Sequence, residues 1–212
     1  MEGSTCGSVR GYFGLSNEVV RALDPRRLEA FARLLYDALL TERQVFVFGN
    51  GCSALTASHY VCDFIKTAAV EGRPRLRAIS LSDSVGLATA IGDDLGYDKA
   101  FIYPLETYAL PGDLAVAISP SGNSPSILRA CEWARANGLT VIALTGFAGG
   151  RLRELADVHI NAPCDNVGMI EDMHLAIGHV VSQMLRSWVL EQTEVLGGPA
   201  ARHMASPAGG AL

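Results

Sequence analysis

The chain has 212 residues, of which 49% are hydrophobic and 18% charged, and its formal net charge is -5. That is enough for one domain with a substantial core and too short for two. The basic residues are scattered, with RPRLR (73–77) the one dense cluster, and no apolar run approaches the ~18 residues a bilayer demands, so neither nucleic acid nor a membrane is expected as a partner.

The first 15 residues, rich in Gly and Ser, read as a flexible N-terminus, 16–195 as a single domain, and the Gly/Ala/Pro-rich stretch 196–212 as a disordered tail. From Asn17 onward apolar residues recur at three- and four-residue spacing through Leu28, Phe31, Leu34, Leu35 and Leu39. This predicts an amphipathic helix with Asp24 as its cap and Pro25 at its first position. VFVF (45–48) is a short apolar strand, and SALTASHYVCDFIKTAA (53–69) is helical. LRAIS (76–80) is the second strand, and LAVAIS (114–119), after the turn signal PGD, is the third. SPSILRACEWARANG (124–138) is a helix closed by Gly138, TVIALT (140–145) and VHINAP (158–163) are the last strands, and MIEDMHLAIGHVVSQMLRSWVLEQ (169–192) is a long terminal helix. Apolar runs of this length, separated by helices, predict an α/β fold with parallel strands covered on both faces. Trp133 and Trp188 sit at helical spacing beside other apolar residues and are assigned to packing.

Five cysteines, Cys6, Cys52, Cys62, Cys131 and Cys164, form neither a disulfide-framework spacing nor a CxxC pair. The N-terminus MEGSTCGSVRGYFG has no continuous apolar core of the secretory type. A reduced, cytoplasmic protein is expected.

Ligands of open parallel sheets bind beyond the carboxyl ends of the strands, and two such ends carry matching chemistry. GNGCS (49–53) follows the first strand and SPSGNS (119–124) the third. Each combines glycines that let the backbone approach an anion, hydroxyls that donate to its oxygens, and a helix N-terminus behind. Neither is a dinucleotide or Walker pattern. Neutral serines and amides at two strand ends suit the phosphate of a small sugar phosphate.

Together with LTGxxGG (144–150), these loops resemble the sugar isomerase (SIS) domain family. The order GNGxS…H…SD…D…SGNS…LTGxxGG…EDxH…H, running from about residue 43 to 185, resembles its phosphoheptose isomerases. The resemblance implies a three-layer αβα sandwich, flavodoxin-like, with a five-stranded parallel sheet and an N-terminal helix for oligomer packing. It also implies a homotetramer with active sites at subunit interfaces, and conversion of D-sedoheptulose 7-phosphate into D-glycero-D-manno-heptose 7-phosphate. The family's phosphate-binding serines fall on Ser53, Ser119, Ser121 and Ser124, beside Asn50 and Gly51. Its catalytic glutamate falls on Asp63 and its catalytic histidine on His179. A zinc ion, where members hold one, would be bound by His59, Asp63, Glu171 and His179. Three departures stand out: aspartate in place of that glutamate, Glu171 in place of a glutamine, and Pro120 in place of a threonine in the phosphate loop, which removes a hydroxyl and an N–H.

Read from the residues alone, His59 and Asp63 are four apart and share a helical face, suiting a shared metal or proton or simply a buried histidine–carboxylate pair. Glu171 and His179 lie eight apart, roughly 80° around a helix, so both can face one pocket, and His174 between them is a candidate for either role. Two carboxylates and two imidazoles match zinc in charge and donor type. Asp63 is one methylene (~1.5 Å) shorter than glutamate. Ketose–aldose exchange needs a base for a carbon-bound proton, an acid or base for the oxygens, and a cation or donor for the enediolate. Asp63 as base with His179 on the oxygen side, and Asp63 as ligand with Glu171 as base, both satisfy this. Asp94, in GDD with Asp93, and Asp165, in PCDN, are candidates for substrate hydroxyls or for caps, as is Asp83; His159 is assigned to packing or solvent. The alternatives in function are isomerisation of another phosphosugar in a specialised glycan or antibiotic pathway, and a non-catalytic phosphosugar-binding or replication-initiator-associating protein.

Overall fold

A computed structural model describes residues 6–195; the tail expected to be disordered, 196–212, lies outside the described residues. Five strands, β1 (Gln44–Gly49), β2 (Arg77–Ser80), β3 (Leu114–Ile118), β4 (Thr140–Gly146) and β5 (Val158–Ala162), form one sheet in the order β2-β1-β3-β4-β5. Every pairing is parallel, as the uninterrupted apolar runs predict. Successive side chains of a strand point to opposite faces, and in β1, β3 and β4 both faces are buried. Val45, Val47, Val116, Ile118, Ile142 and Leu144 pack against α2 (Pro25–Leu40), α3 (Cys52–Cys62) and α8 (Val167–Val195). Phe46, Phe48, Ala115, Ala117 and Ala143 pack against α5 (Ile102–Tyr108), α6 (Pro125–Ala136) and α7 (Leu152–Leu155). The result is the expected three-layer αβα sandwich. The remaining helices are α1 (Val9–Ala22) and α4 (Val85–Asp94). No helix among the described residues is long and apolar enough to cross a membrane.

Two elements differ from expectation. Helix α1 begins at Val9, inside the stretch read as flexible: the Ser8 hydroxyl accepts the Gly11 N–H at 3.0 Å, and Tyr12, Leu15 and Val19 pack on Met169, Ile170 and Met173 of α8. Its Gly/Ser content obscured this, because the helix is held by a cap and tertiary contacts and not by propensity. Second, the helix after β1 is not uniform. At Asp63–Thr67 it widens into a π turn, with the Ala68 N–H donating to the Asp63 carbonyl five residues back at 2.8 Å. Such turns are local and often mark functional residues. Helix α2 behaves as read, with Pro25 at its start and Asp24 accepting the Arg26 N–H at 3.0 Å.

Candidate active site

In the order 2-1-3-4-5 the chain reverses direction of winding between β1 and β3, and a crevice opens beyond their carboxyl ends. The helices leaving the two strands, α3 and α6, go to opposite faces. Asn50 and Ser53 from the first loop meet Ser119, Pro120, Ser121 and Ser124 from the second around a cavity of ≈ 160 Å³, closed by Val167 at the start of α8. Ser124 is the N-cap of α6, yet its hydroxyl makes no capping bond, so it and the helix N-terminus both remain available to an anion. Asn50 braces the cavity: its amide donates to Ser126 at 3.0 Å and accepts from Tyr97 at 2.8 Å. Gly51, at the N-cap of α3, carries a φ of 56°. Tyr97 and Ser126 were not legible as site residues, because each acts only through Asn50.

LTGxxGG supports the pocket and does not line it. The Pro120 carbonyl accepts the Gly146 N–H at 2.8 Å, and the Gly122 carbonyl accepts the Leu152 N–H at 2.9 Å. A Cβ on Gly122 would sit 2.1 Å from the Gly149 carbonyl oxygen, and one on Gly150 would sit 2.4 Å from that of Ser121. Both residues have positive φ, so the two loops pack backbone to backbone in a way only glycine permits.

Farther along α3, the His59 and His179 Nε2 atoms face each other at 2.9 Å, and Asp63 Oδ2 lies 3.4 Å from the first and 3.6 Å from the second. Asp63 Oδ1 accepts from Thr67 at 2.8 Å, a bond made inside the π turn. Oδ2 is buried and has no hydrogen-bond partner. A buried carboxylate oxygen in that state is costly unless a cation or proton occupies the space it faces. Two nitrogens and one oxygen 2.9–3.6 Å apart match the ~3.3 Å edges of a tetrahedron whose ligands stand ~2.0–2.1 Å from a zinc ion. The three residues therefore fit a metal ion.

Of the fourth expected ligand, Glu171, the structure says something different: it does not join that cluster. It lies at the level of Cys52, whose thiol hydrogen-bonds its carboxylate, and burial, then the neighbouring Asp172, raise its pKa. By chain position along α8, Glu171 falls between Val167 at the phosphate cavity and His179 at the cluster. Asp94 ends α4 exposed to solvent and Asp165 is exposed in the loop before α8, neither lining the cavity. The cap of α8 is the next residue, Asn166, whose side chain accepts the Met169 N–H at 3.0 Å. Asp83 pairs with the Ser58 hydroxyl beside His59.

His174 is removed from both candidate roles by burial. Its Nε2–H donates to the Thr145 carbonyl at 3.1 Å while Nδ1 is buried without a partner, and burial lowers its pKa from 6.5 to about 4 against the opposing pull of that carbonyl. Above pH 6.5 the imidazole is neutral in folded and unfolded chains alike. As pH falls from 6.5 toward 4, the unfolded chain takes up a proton that the folded chain refuses, so stability declines by about 3 kcal/mol across that window. Urea unfolding at pH 7 and pH 4.5 is expected to show this decline in the parent chain and a smaller one in His174→Leu.

The fold and site together define an open α/β protein with a serine-lined cavity at the carboxyl ends of β1 and β3 and an imidazole–carboxylate cluster between α3 and α8. The sequence profile of the SIS domain matches residues 12–146. The phosphoheptose isomerase of Akkermansia muciniphila is 36% identical over 171 residues, covering 81% of this chain and 87% of that protein. That of Mycobacterium tuberculosis is 40% identical over 167 residues, covering 77% and 85%. The solved structure of a phosphoheptose isomerase from Francisella tularensis matches with a TM-score of 0.78 at 30% identity, over 84% of this chain and 94% of that one. The chain belongs to the SIS domain family, and within it to the phosphoheptose isomerases.

Proposed function

We propose that this protein is an aldose–ketose isomerase that converts D-sedoheptulose 7-phosphate into D-glycero-D-manno-heptose 7-phosphate through an enediol. The observation that carries the reading is the convergence of His59, Asp63 and His179, with His59 on the same helix, α3, as Ser53 of the serine-lined cavity. Ser53 and His59 are six residues apart on α3, ~9 Å of helix rise, on the order of an extended seven-carbon chain. With the phosphate among Ser53, Ser119, Ser121 and Ser124, the first two carbons reach the cluster. The names of the relatives support the substrate.

His59, Asp63 and His179 would hold a zinc ion, which when bound supplies positive charge to the carbonyl and to the enediolate. Glu171 takes the carbon-bound proton and returns it to the adjacent carbon, while the hydroxyl proton of the first carbon passes to the oxygen of the second. Burial, then Asp172, raise the Glu171 pKa, the direction that strengthens a carboxylate as a base. The buried Asp63, held in place by Thr67, would anchor the ion. The serine loops hold the far end of the substrate, so that binding energy made there orients the reacting carbons. The chain is read as a homotetramer, with α1 offering the exposed apolar side chains Val9, Phe13 and Val20 on one helical face. Five free cysteines fit a reducing cytoplasm.

The test is to incubate the purified protein with sedoheptulose 7-phosphate and follow aldose formation with and without chelator, its mass set by light scattering. Turnover abolished by chelator and restored by zinc, in a particle of four chains, is the expected result. Absence of turnover would overturn the reading, and turnover only with another phosphoketose would change the substrate.

A further inference from the structure

Two strands away from the phosphate crevice, beside the edge strand β5, lies a separate cavity of ≈ 440 Å³ that shares no residue with the serine-lined one. Arg27 from the first turn of α2 and Arg153 from α7 line it, with His159 and Asn161 of β5. Neither guanidinium has a hydrogen bond or ion pair among the described residues. Asp24 also borders the cavity, but its carboxylate is engaged by Arg26 at 3.2 and 3.3 Å. The N-terminus of α2 is already capped by Asp24, whose carboxylate accepts the Arg26 N–H at 3.0 Å, so the positive character of the cavity comes from the two arginines and not from the helix end.

His159 is oriented by a network whose protons can be assigned. Asn161 donates through Nδ2 to the Phe147 carbonyl at 3.1 Å, which leaves Oδ1 to accept from the Thr145 hydroxyl at 2.8 Å. That hydroxyl has only one proton, so the His159 Nε2, 2.7 Å away, must donate to it. Nδ1 is then the one ring nitrogen left free. Burial first, then Arg153 and Arg27, lower the pKa of this imidazole, which places both uncompensated cations near it.

We propose that this cleft is a second anion site, taking the phosphate dianion of a small phosphorylated metabolite between Arg27 and Arg153. Forked guanidiniums from two separate elements suit a tetrahedral oxyanion, which presents oxygens in several directions. The volume exceeds what bare phosphate fills, so an ester with a small organic group fits better. The site is independent of the isomerase reading. Thr145, which orients His159, also accepts from His174 of the helix that carries His179, so the cleft is built against the same frame as the cluster.

Binding of inorganic phosphate to the full chain, measured by calorimetry at low salt, tests this. Two phosphates per chain are expected. The double variant Arg27→Gln/Arg153→Gln should retain one and bind the other roughly ten- to hundredfold more weakly. Ser121→Ala/Ser124→Ala should weaken the opposite one. Arg75→Gln, which removes an exposed arginine outside the cavity, should change neither by more than about twofold if the effect is local and not one of net charge. Both arginines are exposed, so folding is expected to survive their replacement. A single phosphate per chain in the parent, or equal weakening by Arg75→Gln, overturns the proposal. Failure of the isomerase reading would appear separately, as absent turnover with arginine-dependent binding intact.

Discussion

Asp63→Asn is expected to lose bound zinc and activity together, whereas Glu171→Gln should keep the metal and lose ~10²–10⁴-fold in kcat, the usual worth of a positioned general base. Asparagine keeps the shape of Asp63 but removes its charge. It also turns a donor N–H₂ or a weak carbonyl toward two imidazole nitrogens that already stand 2.9 Å apart. Glu171 is outside the cluster, so its amide should leave metal content, read by atomic absorption, unchanged. The resembled family has glutamate at the first position and glutamine at the second. In this chain the long carboxylate has moved from α3 to α8, which reads as a compensated exchange. The double variant Asp63→Glu/Glu171→Gln, which restores the family's pair, should therefore recover much of the activity that Glu171→Gln loses. Interaction between two sites that share one function is where additivity fails. Metal retained in Asp63→Asn, with activity lost there and unaffected in Glu171→Gln, would assign the base to Asp63 and the oxygen protons to His179 instead.

The sheet was legible because β1, β3 and β4 are buried on both faces, so VFVF, LAVAI and VIALT read as apolar runs that only a covered parallel strand explains. The position of the serine loops was legible for a related reason: the apolar runs stop at GNG and SPSGN, which marks the carboxyl ends of β1 and β3, and the structure brings the two loops around one cavity. What sequence left open was decided by position in space. His174 and His179 are equivalent as letters, yet one is sealed against Thr145 and the other faces His59. Glu171 satisfied the angular condition for sharing a ligand sphere with His179, but the eight-residue separation also spans ~12 Å of rise, which angle alone conceals. Asp94 and Asp165 were read as candidates because they are acidic and lie in a loop or at a helix end; no periodicity reports that both are exposed and outside the lining of the serine cavity. The π turn at Asp63 has no sequence signature either. It arises from one shifted hydrogen bond, to Ala68, and with it comes the Thr67 contact that orients the carboxylate.

Gly178→Ala should be nearly as damaging as losing a ligand, although the residue touches no substrate. Glycine in the interior of a 29-residue helix costs ~1 kcal/mol relative to alanine, so something else requires it. A Cβ there would stand 2.1 Å from Tyr60 Cε1 and 2.5 Å from Cδ1. The ring has no room to retreat: Tyr60 is fully buried, packs at a tilt against Phe31 and Phe64, and donates its hydroxyl to the His174 carbonyl. Helices α3 and α8 must then separate. Tyr60 follows His59 and Gly178 precedes His179, so the strain falls directly on the 2.9 Å contact between the two imidazoles. Overpacking of this kind costs about 1–3 kcal/mol, or a fall of roughly 2–12 °C in Tm for a chain of this size. A displacement near 1 Å at a positioned site costs on the order of 10² in rate. Calorimetry and zinc content should therefore both fall in Gly178→Ala. Gly86→Ala on α4, where a Cβ meets nothing within 4 Å, should leave both unchanged or raise Tm slightly. Full metal content and rate in Gly178→Ala would mean that the close approach of Tyr60 to α8 does not set the cluster, and that His59 and His179 are held by the ion itself.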